Sequence, residues 1–146
     1  MEAVKILLAA IVGTILMTAF SYLMSEAFHK LFKEPVLLNK LLQRLGVKLP
    51  HGQLSIVGWL IHFVIGLLFA FLYELFWKYT DADPTWGCGL ILGAISGIVG
   101  ILAWMIMFRL PESPPKVKFS EYYLQLFFAH IVFALGVIAV YKIYPQ

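Results

Sequence analysis

Charge is scarce in this chain. Only 13% of its 146 residues are Asp, Glu, Lys or Arg, while 62% are hydrophobic. A soluble domain carries about a quarter charged and about half apolar residues, so a water-facing globule is excluded. Cysteine is almost missing too. Cys88 stands alone, which leaves no disulfide framework and no cysteine-based metal motif. There is no GxSxG, P-loop or HExxH pattern, so the usual signatures of soluble-enzyme chemistry are absent and no enzymatic activity is expected. The net charge of +3 is modest, and no basic stripe interleaves with aromatics. Nucleic acid is therefore not an expected partner.

What the sequence does have is long apolar runs. About 20 apolar residues span a bilayer as a helix. Four such runs cover residues 6–27, 54–77, 85–108 and 119–143. The connections are too short for a soluble domain, so residues 1–146 read as one transmembrane domain, an all-α four-helix bundle. The first run is longer than the 7–15 apolar residues of a signal peptide, and Glu2 offsets Lys5, which predicts a retained span. The four tryptophans (Trp59, Trp77, Trp86, Trp104) and Tyr79, Tyr122, Tyr141 and Tyr144 fall mostly near span ends, as an aromatic belt requires.

Lys and Arg favour cytoplasmic loops. The first and third loops hold eight of them, against three in the second loop and the two termini together. This predicts a multi-pass protein of the inner or plasma membrane with both termini periplasmic or extracellular. Within the first loop, residues 36–45 predict a short amphipathic helix, with Pro35 at its start and Gly46 at its end. Leu38, Leu41, Leu42 and Leu45 share one face; Asn39, Lys40, Gln43 and Arg44 take the other. The expected setting is the membrane interface, leucines down and cations toward anionic headgroups. The alternative is packing on the bundle end. His29, His51, Glu26 and Glu34 read as exposed loop residues. Asp81 and Asp83 before Pro84 read as a turn.

The second and fourth spans superpose with a shift of 68 residues, His62 on His130 and Tyr73 on Tyr141. The first and third align less well at a shift of 84. The chain thus reads as two tandem two-helix hairpins related by an axis along the membrane normal. Histidine and tyrosine, 11 residues apart in each copy, share one helix face roughly 16 Å apart along the axis. Glu74 and Lys142 occupy equivalent places and are expected to pair at the interface.

Thr14, Thr18, Ser21 and Ser25 form a hydroxyl stripe on the first span. Counting turns places Thr18 and Ser21 near the depth of His62, as candidate partners for its ring. The third span carries a double GxxxG in Gly89, Gly93 and Gly97, with Gly100 spaced likewise. Such small residues let helices approach closely, here within the bundle first and in a homodimer or with a membrane-protein partner second.

An ionisable residue inside a membrane is a functional-site hypothesis. Three readings of His62 and His130 stand side by side. The rings are neutral and hold helix register. Or they ligate a b-type haem axially, the only cofactor the residues suggest. Or they line a pathway or site for a small solute, lipid or proton, together with Thr18, Ser21, Tyr73 and Tyr141. No Asp, Glu, Lys or Arg lies near the middle of any span, which favours the first. A non-enzymatic packing or interaction module is the leading expectation.

Gly13-Thr14-x-x-Met17-Thr18, followed by His62-x3-Gly66-x6-Tyr73, resembles the small four-span bacterial inner-membrane proteins of the YagU type and related uncharacterised families. The resemblance implies a polytopic inner-membrane protein loosely tied to envelope or acid stress. It carries no catalytic residue over to this chain.

Overall fold

The computed structural model describes residues 2–48 and 51–144. These form five helices: α1 (Glu2–Phe28), α2 (Glu34–Arg44), α3 (His51–Tyr79), α4 (Trp86–Met107) and α5 (Phe119–Ile143). There is no strand among the described residues. Four helices are long and apolar enough to cross a membrane: Ala3–Phe28, Ile56–Tyr79, Trp86–Met107 and Phe119–Ile143. The chain is an all-α four-helix membrane bundle with one short extra helix. Its outer surface is studded with exposed aliphatics such as Leu23, Val64, Ile91 and Leu102. Lipid solvates such side chains as well as a protein core does, so helix association depends on close packing and polar contacts instead.

α5 is the central helix, packed on both α1 and α4, while α1 also packs on α3. The glycine stripe of α4 explains one of these contacts. A Cβ at Gly93 would lie 2.7 Å from Ile131 Cα, and one at Gly97 3.2 Å from Phe127 Cα. Only glycine lets α4 reach the α5 backbone, so the stripe serves packing within the bundle. α1 and α5 cross where Gly13 meets Gly136. By contrast, α3 and α4 meet through side chains, with Tyr73 Oη 2.5 Å from Ser96 Oγ and Trp77 Nε1 donating to Cys88 Sγ.

The two tandem hairpins are therefore packed unequally. Phe69 beside His130, Tyr73 beside Phe133 and Trp77 beside Tyr141 put α3 and α5 side by side in the same direction. But the close α1–α5 contact has no equal counterpart between α3 and α4.

The first loop departs most from expectation. α1 ends where His29 takes a left-handed φ of 52°. Lys30 N–H bonds Ser25 O, and Ser25 Oγ donates to Lys30 O and accepts from Phe32 N–H, so the chain turns back on α1 at once. α2 starts with Pro35 in its first turn and stops at Gly46 with φ 82°, as its sequence predicts. Its buried face is Glu34, Pro35, Leu37, Leu38 and Leu41. Leu45 is exposed, and so are Lys40, Gln43 and Arg44. The helix is thus packed on the bundle end against α3, rather than laying Leu38 and Leu41 into lipid. Gly58 permits the contact: a Cβ there would meet Pro35 O at 2.4 Å, and its N–H bonds Asn39 Oδ1. The exposure expected of His51 concerns a side chain that lies outside those described.

Candidate functional site

The hydroxyl stripe of α1 is buried along its whole length, and each member has its own task. Thr18 Oγ1 donates to Thr14 O at 2.6 Å and lies 2.9 Å from His62 Nε2. One hydroxyl carries one proton, already given to the carbonyl. His62 Nε2 is therefore the donor to Thr18, which leaves His62 Nδ1 with a lone pair. Ser21 donates to Glu34 Oε1 at 2.5 Å and accepts from Gln125 Nε2 at 2.6 Å. Ser25 ties the reversal after α1 instead of facing another span. So Thr18 is the partner of His62, as counting turns predicts, while Ser21 partners Glu34.

Glu34 is the residue that the sequence reading places wrongly. Expected in an exposed loop, it is 1% exposed. The tight turn after α1 and the first turn of α2 carry its carboxyl between α1 and α5. The described ion pairs at this end are Lys33 with Glu26 and Lys30 and Lys118 with Glu121, none of them with Glu34. A buried carboxylate without a cation favours its protonated form. Burial pushes the Glu34 carboxyl up to about 7, against the pull of the Ser21, backbone and Gln125 hydrogen bonds. A signal was available: Glu34, Leu38 and Leu41 are spaced by four and three, one stripe of α2.

His130 Nδ1 lies 2.9 Å from Leu126 O, and a carbonyl only accepts, so Nδ1 carries the proton and Nε2 the lone pair. Its ring fits a notch over Gly100, where a Cβ would sit 2.7 Å from Nε2. Phe69 stands edge-on to the same ring at 5.5 Å. His62, His130, Glu34 and Thr14 then share the wall of one cavity of about 80 Å³, lined also by Leu38, Phe133 and Trp104 and by Val99 and Ala103, which are exposed on the surface of α4. Thr14 Oγ1 and Glu34 Oε2 are buried there with no hydrogen-bond partner in the protein. The cavity has room for a few water-sized groups. A larger groove of about 330 Å³ lies outside, between α1 and α5. It is walled by Phe20, Met24 and Phe128, with the Lys30–Glu121 pair at its rim.

The tyrosines lie away from this cavity. Tyr73 serves the α3–α4 contact. Tyr141 Oη donates to Glu74 Oε2 at 2.6 Å, and Lys5 Nζ sits 4.6 Å over the Tyr141 ring. The expected Glu74–Lys142 ion pair is not among the described ones; Lys142 is exposed while Glu74 turns to Tyr141. At their places in neighbouring parallel helices, the tyrosine hydroxyl reaches inward and the lysine stem outward. No group of three or more His, Cys, Asp or Glu gathers as metal ligands among the described residues. Comparison with protein-family models, with curated proteins and with solved structures finds no match to this chain.

Proposed function

We propose that this chain is a non-enzymatic binding protein of the inner or plasma membrane, holding a small polar solute in an intramembrane cavity. One observation carries the reading. α2 folds back and places Glu34 on the wall of a cavity that already holds His62 and His130. The sequence argument for a purely structural role rested on the absence of a charged group inside the bundle. Glu34 supplies that group from a loop helix. An intramembrane or re-entrant ionisable residue is costly and marks a site. The basic bias of the first and third loops supports a topology with α2 on the cytoplasmic side and both termini outside. Lys40 and Arg44, exposed on α2, suit anionic headgroups there.

The haem reading fares less well. Phe69 and Gly100 pack directly against His130, and a macrocycle between the two histidines would require them to move apart.

Water access tests the proposal. In a Cys88→Ala background, Met17→Cys places a thiol on the buried wall of the cavity and Leu102→Cys places one on the outer face. A small water-soluble thiol reagent should label the first at least tenfold faster in bilayers. Equal rates would sink the binding role.

A further inference from the structure

We infer that the cavity takes a small monocation rich in N–H donors, ammonium or a short alkylammonium, with Glu34 as its counter-charge. The inference rests on the binding role proposed above and names its ligand class.

The argument is a census of donors and acceptors. Glu34 Oε2 accepts and is unpartnered. His62 Nδ1 accepts, because Nε2 is committed as donor to Thr18. His130 Nε2 accepts, because Nδ1 is committed to Leu126 O. Among the described residues of this wall, Thr14 Oγ1, also unpartnered, and the Glu34 carboxyl while it holds its proton are the groups able to donate. No Lys or Arg lines the cavity among the described residues. An anion would meet a carboxylate and two lone pairs. A neutral carbonyl compound would find two donors at most and would supply no counter-charge to the carboxylate. An ammonium group brings several N–H bonds and the charge that a buried carboxylate lacks. The rings of Phe69, Phe133 and Trp104 complete a wall that cations tolerate well. The small volume limits the ligand to ammonium with water, or to an amine of one or two carbons.

Binding exchanges one proton for one cation. Glu34–COOH releases its proton to water, and the carboxylate so formed pairs with the ammonium group, leaving the net charge of the site unchanged. With the empty carboxyl pushed up to about 7 by burial, the proton comes off on binding below that pH and is already gone above it. The titratable groups around Glu34 are Tyr22 on α1, His62 on α3, and Tyr122 and His130 on α5; among the described residues α4 lines the cavity with no titratable side chain. Lys33, its neighbour on the chain, is held by Glu26.

The test is calorimetric titration of the full-length protein in zwitterionic nanodiscs with methylammonium, formamide and formate. Runs at pH 6 and pH 8, in buffers of different ionisation enthalpy, count protons. Methylammonium alone should bind, releasing close to one proton at pH 6 and close to none at pH 8. Its affinity should fall about tenfold per pH unit below 7. Glu34→Gln should abolish binding. Thr14→Val keeps the shape and the backbone carbonyl, and should weaken binding about tenfold with an unchanged helical spectrum. Methylammonium bound equally well by both variants would overturn the inference. So would binding of formamide or formate in its place, which would leave the binding role standing with another ligand class. Silence from all three probes would remove both.

Discussion

The two hairpins of this protein carry the same histidine and tyrosine at the same spacing, yet use them differently. In the second hairpin, α4 and α5 close backbone to backbone over glycines. His130 is held by its own helix, at Leu126 O, and fills the notch over Gly100. In the first hairpin, α1 and α3 are bridged by a polar contact, Thr18 to His62, and an extra helix folds into the loop between them. That helix has no counterpart in the second hairpin among the described residues, and it brings a buried carboxyl, Glu34, that none of the described ion pairs includes. Two hairpins of similar pattern pack differently, and the extra helix in the first of them brings a carboxyl to the cavity wall.

The strongest way to break the comparison is to attack the backbone contact over glycine in the second hairpin; in the first, Gly66 meets only the Thr14 side chain across α1 and α3. Gly93→Val would drive a branched side chain into Ile131 Cα and His130 O, backbone atoms that cannot step aside. A loss of about 3 kcal/mol or more is expected, visible as collapse of the thermal transition in detergent. Gly87→Ala, on the same helix with only Thr85 Oγ1 near at 4.0 Å, should leave that transition in place or raise it.

Next in size is the pH dependence conferred by the inserted helix. The Glu34 carboxyl is pushed up from 4.5 to about 7 on folding. The folded state therefore holds a proton that the unfolded state has lost. Stability is greatest below about pH 4.5 and falls as pH rises through 7, by about 3 kcal/mol in all. Glu34→Gln should flatten this slope; a slope that survives would place the titration elsewhere.

The histidines should then separate. His130→Gln leaves the Gly100 notch half-filled and should cost about 2 kcal/mol. At His62, glutamine can still donate to Thr18, so His62→Gln should cost under about 1 kcal/mol. Equal losses in a chemical denaturation series would erase the distinction drawn between the two rings. The smallest effect belongs to the far end of the bundle. Tyr141→Phe removes one hydrogen bond to Glu74 and should cost about 0.6 kcal/mol, at the limit of the same measurement.

Much of this was legible in the residues. The spans expected at 85–108 and 119–143 are observed as Trp86–Met107 and Phe119–Ile143, because a helix long and apolar enough for lipid needs no tertiary partner to declare itself. The turn count that set Thr18 level with His62 holds for the same reason: rise per residue is a local constant. The glycine stripe announced a close approach. What these periodicities lack is direction. They say that a helix has an apolar face without saying whether lipid or protein meets it, so α2 was expected on the membrane surface and Glu34 in water.

Sequence alone thus determined the class, the long apolar helices and the hydroxyl and glycine stripes, since hydropathy and helical period are properties of short stretches of chain. Tertiary structure alone decided that α2 turns back, that Glu34 rather than His62 receives Ser21, and that Glu74 meets Tyr141 instead of Lys142. Each of those joins residues on different helices. Their outcome depends on how the left-handed turn at His29 and the approach at Gly58 aim one helix at another, a geometry that no local pattern encodes.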